Sequence, residues 1–150
     1  MSRSRNYREL IAWQKAMKLA KAAYRLSSEL PRKEAYGLIS QLQRAAVSVP
    51  SNIAEGHGRL TDLQFRHFLG NARGSLCELQ TQVELAYDLE YISAETLKKF
   101  MEQSSEVARL INGLISALRE LRGPAKKNLT PLTARSAANT ASSAIKDPYR

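Results

Sequence analysis

Seven apolar residues, Phe65, Leu69, Ala72, Leu76, Leu79, Val83 and Ala86, follow one another at alternating steps of four and three along an otherwise polar stretch. The average step of about 3.5 residues is the repeat of helices packed side by side at a shallow angle. A strand, whose faces alternate every second residue, cannot produce it. One such stripe needs other helices to cover it, and the rest of the chain has to supply them.

Three further segments carry a helical period. The first, about residues 7–29, places Leu10, Trp13, Met17, Ala20 and Tyr24 on one face. At about 100° per residue, Lys15, Lys18, Lys21 and Arg25 fall on the opposite face, an amphipathic helix with a basic back. Pro31 interrupts it. A second helix from about residue 33 turns Leu38, Leu42, Ala45 and Val49 inward and resumes through Ile53 after Pro50. Pro50 removes a backbone donor within that helix and predicts a kink or short break. Gly56-His57-Gly58 ends it. Thr61 followed by Gln64 has capping-box spacing and opens the third helix, the one with the regular stripe. Ser93 caps the fourth, and Glu95 suits its first turn. The fourth helix runs to about Arg122 with two adjoining seams, one through Leu97, Met101, Ala108, Ile111, Ile115 and Leu118, the other through Phe100, Val107, Leu110, Leu114 and Leu121. Together they span about half the circumference, which in a bundle serves two neighbours and leaves room for a subunit contact.

The expected fold is all-α, an up-down antiparallel four-helix bundle over residues 1–122 with a proline-kinked second helix. Residues 123–150, rich in Ala, Ser, Thr and Pro and without an apolar period, are expected to form a flexible basic tail.

Charge directs the functional reading. Lys and Arg number 23 against 14 Asp and Glu, a net +9. The excess is uneven: residues 1–44 hold 10 basic and 3 acidic side chains, residues 45–97 hold 3 and 7. A basic face on the first helix, with Lys15, Lys18, Lys21, Arg25 and Arg44 and extensions at Arg8, Arg32 and Lys33, suits an anionic partner such as RNA or DNA.

Other chemistries lack their residues. A single cysteine, Cys77, closes no intramolecular disulfide and has no CxxC partner, which points to a reducing compartment, the cytoplasm by default. No Glu has a His three residues later, so the di-iron signature of bundles is missing, and His57 and His67 belong to no ligand pattern. Glycine spacing fits no phosphate loop or dinucleotide fingerprint, and no nucleophile elbow occurs. The expectation is therefore no enzyme activity, no metal and no cofactor. Lysines break the apolar region near the start, so neither a membrane span nor a signal peptide is read there.

Residues Tyr7 to Trp13 (YRELIAW), Glu34-Ala35-Tyr36-Gly37-Leu38 with Gln41, and above all Ser48-Val49-Pro50-Ser51-Asn52-Ile53-Ala54-Glu55-Gly56 resemble a known family. It is the bacterial four-helix-bundle family typified by proteins encoded in large-subunit rRNA intervening sequences and by the accessory variability determinant of diversity-generating retroelements. The similarity continues through Phe65, Phe68-Leu69, Ala72, Gly74-Ser75-Leu76, Glu78-Leu79 and Thr81-Gln82, covering about residues 7–121. The resemblance implies a ring-forming bundle, in known members a homopentamer, with a basic surface and no catalysis. For the retroelement accessory protein it implies binding to nucleic acid and to a reverse transcriptase. Within the shared motif, Pro50, Asn52, Glu55 and Gly56 read as structural: the proline kinks the helix, Asn52 and Glu55 satisfy freed backbone groups, and Gly56 ends it.

The expected function is a non-enzymatic, homo-oligomeric accessory or scaffold protein that binds RNA or DNA. The alternative is an adaptor that docks on a partner protein such as a reverse transcriptase.

Overall fold

A computed structural model describes residues 4–120. Two short 3-10 turns, Tyr7–Glu9 and Arg32–Glu34, accompany four helices: α1 (Ile11–Ser27), α2 (Leu38–His57), α3 (Asp62–Asp88) and α4 (Ala94–Glu120). Each helix packs on two others, α1 on α2 and α4, α3 on α2 and α4, which closes a four-helix ring around one core. The connections 28–37, 58–61 and 89–93 reverse the chain each time, so sequential helices are antiparallel. No strand occurs among the described residues. The expected tail at 123–150, the last turn to Arg122 and Leu121 of the α4 seam lie outside them.

The α3 stripe behaves as its spacing predicts. Phe65, Leu69, Ala72, Leu76, Leu79, Val83 and Ala86 are all buried. Thr61 Oγ1 accepts from the Gln64 amide at 3.2 Å, and Ser93 Oγ accepts from the Thr96 amide at 3.1 Å, so both caps stand where the sequence puts them. Between them Glu90 takes a left-handed φ of 63° as the chain turns.

The other helices correct the sequence reading in three places. In α1 the buried stripe is Ala12, Ala16, Leu19, Ala23 and Leu26, turned by about one residue step, or 100°, from the expected face. Met17 and Tyr24 stay 45% and 46% exposed. The alanines win because a side chain without bulk lets α1 lie close to α2 and α4. Trp13 is covered from outside, edge-on against Tyr7 at 5.3 Å between ring centres.

The second correction concerns the start of α2. The segment from residue 33 first makes a 3-10 turn, and the helix begins only at Leu38. Gly37 precedes it with φ −110° and ψ −112° and offers no side-chain cap. Glu34 takes that role, its Oε2 accepting from the Leu38 amide at 3.3 Å.

Third, α2 is continuous from Leu38 to His57 through buried Pro50, without the break the proline suggests, and no kink is established there. Ala45, Ala46, Val49 and Ile53 anchor the helix on both sides of the proline, and that packing tolerates one missing backbone bond. Asn52 does bond backbone, but at Ser48: its Nδ2 donates to the Ser48 carbonyl at 2.8 Å and to Ser48 Oγ at 2.9 Å. Ser48 Oγ is 2.8 Å from Ser75 Oγ on α3, extending the network between helices. Glu55 satisfies no freed backbone group. It is exposed and accepts from Arg59 Nη2 at 2.8 Å.

Gly56 is required for closeness, whereas the helix it was expected to end runs on through His57 to its C-cap at Gly58. A methyl placed on it would sit 2.5 Å from Phe68 Cβ and 3.0 Å from Phe65 Cδ2, so the α2 backbone rests directly against the first turns of α3.

Candidate nucleic-acid interface

The rotation of α1 decides which of its cations are free. Lys15 lies at the edge facing α4, where its Nζ pairs with Glu106 Oε1 at 3.3 Å. It belongs to the helix contact as much as to the surface. Lys18, Lys21 and Arg25 are exposed, and among the described residues no carboxylate stands within ion-pair distance of them. Three cations without an acidic partner among the described residues therefore remain on one exposed arc of α1.

The neighbouring helices extend that arc on both sides. Arg25 shares an open groove of about 290 Å³ with Lys99, Gln103 and Thr96 of α4, floored by Leu26 and Phe100. Glu29 is the one acidic side chain in its lining. On the other flank, Arg44 of α2 shares a shallow depression with Tyr24 and Val47. Arg44 is exposed, and it too has no acidic partner among the described residues. The result is a band of cations crossing α4, α1 and α2, with Tyr24 the aromatic within it. Of the proposed extensions, Arg8 folds over the Tyr7 ring at 4.8 Å, and Arg32 and Lys33 are exposed on the turn after α1.

Sequence reasoning missed Lys99. Its signal was present: Lys98-Lys99 falls in the early part of α4, where the helix dipole favours acidic residues. Antiparallel packing brings that part of α4 beside the end of α1 that carries Arg25.

The motif residues Pro50, Asn52, Glu55 and Gly56 are not part of this band. Pro50 and Gly56 are buried, and Asn52 faces Ser48 and α3. Their visible contacts concern how α2 is built and how it meets α3.

A basic surface on a four-helix bundle defines the class: an all-α protein with a cationic band and, among the described residues, no group of three His, Cys, Asp or Glu able to hold a metal ion. The 23S rRNA-intervening sequence protein family matches residues 8–113, and the chain belongs to that family. Its fold is similar to the crystal structure of a protein with unknown function from the S23 ribosomal protein family of Bacteroides thetaiotaomicron VPI-5482. That similarity has a TM-score of 0.66 at 23% identity and covers 70% of this chain and 98% of that one. At that identity it speaks for the fold. No curated protein matches the chain. Neither the family nor the solved relative carries an enzyme description. No described helix is long and apolar enough to cross a membrane.

Proposed function

We propose that this protein is a non-enzymatic, cytoplasmic accessory or scaffold protein that binds RNA or DNA through the cationic band centred on Lys18, Lys21 and Arg25. The observation that carries the reading is the absence, among the described residues, of any carboxylate paired with these three side chains, while nearby Lys15 is paired. Surface lysines that serve only solubility are compatible with interspersed acids. A contiguous uncompensated row presents phosphates with several counterion-releasing contacts at once. Lys99 and Arg44 widen the row to three helices, broad enough for a backbone to cross rather than touch.

Assembly into a homo-oligomer, with a pentameric ring as the form suggested by resemblance, belongs to the same proposal. One surface favours it. On α4, Leu97, Leu110, Leu114 and Ile115 flank the buried centre and are only partly buried, so the wide seam is not fully used by the bundle itself. Repeating one cationic band around a ring multiplies avidity without new contacts. The same partly buried apolar residues suit the second reading, docking on a protein such as a reverse transcriptase.

Size-exclusion chromatography with light scattering, followed by binding to structured RNA, single-stranded DNA and duplex DNA, tests the proposal. An oligomeric mass and loss of binding in the Lys18→Glu/Lys21→Glu/Arg25→Glu variant, with helicity retained, is the expected result. A monomer that binds none of the three ligands overturns it.

A further inference from the structure

Where α2 ends and α3 begins, the surface carries a second concavity, on a helix that does not touch α1. This open groove of about 720 Å³ is lined by Arg59, Leu63, Gln64, Arg66, His67 and Phe68. Its contents are unlike those of the α1 band, since apolar and cationic groups alternate within one small space.

Three features define the chemistry. Arg59 is fixed in place, its guanidinium 4.7 Å from the centre of the Phe68 ring and its Nη2 bonded to Glu55 at 2.8 Å. Arg66 is the reverse: its Nε is buried and meets no acceptor, and no carboxylate among the described residues pairs with its charge. The buried Nε seats the side chain against the corner, and the outer guanidinium nitrogens, held by no carboxylate among the described residues, can donate charge-assisted bonds to an anion in the groove. The third feature is apolar surface left in solvent. Leu63 is 52% exposed and shares the groove with a Phe68 ring met edge-on by His67 at 5.8 Å.

A ligand that satisfies all three carries an anionic group joined to a flat, largely apolar body. Duplex nucleic acid offers the anion but keeps its base faces stacked. An unpaired nucleotide offers both, because its base is free to lie on leucine, aromatic and guanidinium surfaces.

We infer that this corner of the bundle binds one unpaired nucleotide of a single-stranded nucleic acid, with its phosphate at Arg66 and its base against Leu63 and Phe68. The inference takes its ligand class from the nucleic-acid reading above but stands on different residues. The α1 band supplies diffuse attraction, and the corner supplies selection for a strand that is not paired.

The test uses the full chain and a short oligouridine carrying one 5-bromouracil, irradiated and mapped by mass spectrometry. The expected crosslink lies on the tryptic peptide of residues 67–73, which holds His67 and Phe68. Arg66→Gln should weaken oligouridine binding about tenfold, the effect of losing one charge-assisted bond. Leu63→Glu, a change at an exposed position, should do the same without disturbing the fold. An abasic strand of equal length should bind the wild type about tenfold less tightly, reflecting the missing base stack. In the Lys18→Glu/Lys21→Glu/Arg25→Glu variant the affinity should fall while the crosslink, formed at saturating protein, stays on residues 67–73. Crosslinks confined to α1 would overturn this inference and leave the α1 reading intact, as would equal binding of abasic and uridine strands. Perturbation of the His67 NMR signals by a glutamate-rich peptide but not by oligouridine would assign the groove to a protein partner and overturn it as well.

Discussion

Tyr91 donates its phenolic hydrogen bond to Glu34 Oε1 at 3.0 Å, across 57 residues of sequence, while the other oxygen of that carboxylate caps the first amide of α2. One side chain thus ties the α3–α4 turn to the start of α2. Desolvation first, then the hydrogen bond and negative charge of Glu34, raise the Tyr91 pKa above its ordinary value. The sign of the linkage follows: the fold prefers the neutral phenol, so this contribution is complete below the unfolded phenol's pKa of about 10 and is lost as pH rises through the higher folded value. Thermal unfolding of the wild type should therefore show an alkaline loss of stability that Tyr91→Phe lacks. Identical pH profiles would remove Tyr91 from the account.

The same substitution at two glycines should have opposite signs. Gly56→Ala forces a methyl into the Phe65–Phe68 contact and should cost about 2 kcal/mol, as overpacking does. At Gly74 a methyl would meet nothing within 4 Å, so Gly74→Ala should stabilise the helix by about 1 kcal/mol. Urea denaturation of both variants measures the difference, and equal effects would refute the close approach of α2 to α3.

Asn52→Leu keeps the side chain's bulk and removes its donors to Ser48. With the Ser48 and Ser75 hydroxyls left to rearrange, the loss should be about 1–2 kcal/mol. An unchanged melting temperature would show that the network between α2 and α3 contributes nothing.

Lys15 and its neighbours should separate cleanly. The Lys15–Glu106 pair is exposed, at 37% and 45% of its side-chain surfaces, so Lys15→Gln should change stability by no more than about 0.5 kcal/mol. Its effect on nucleic-acid affinity should also be smaller than that of Lys18→Gln, because Lys15 already has a counter-charge. A larger loss at Lys15 would mean that the band runs along the α1–α4 edge instead of the exposed arc.

Periodicity made most of this fold legible. The α3 stripe, both caps and the helix-breaking role of Gly56-His57-Gly58 could be read because each depends on residues close in sequence. What escaped depends on tertiary packing. The α1 face was misjudged because Trp13, Met17 and Tyr24 outweigh Ala12, Ala16 and Ala23 in hydrophobicity, whereas close helix contact selects small side chains. Glu34 as the cap of α2 was invisible because the residue before Leu38 is a glycine and the capping carboxylate arrives from a 3-10 turn. For the interface, the α1 cations were identifiable from charge alone, but which of them is paired depended on Glu106, 91 positions from Lys15. The groove at Arg59, Arg66 and Phe68 is local in sequence, but its residues follow no motif and read as an ordinary helix start.

In the proposed function the exposed arc of α1 holds phosphates. The most direct measurement is fluorescence anisotropy of protein and labelled nucleic acid, stripped of contaminants, across a salt series, comparing the wild type with the Lys18→Glu/Lys21→Glu/Arg25→Glu variant. Wild-type affinity should fall linearly with salt on logarithmic axes, and the slope on a single strand should shrink by about 2 in the variant, because three phosphates, at about 0.7 each, are no longer neutralised. A slope unchanged by the three substitutions, or no binding at low salt, would contradict it.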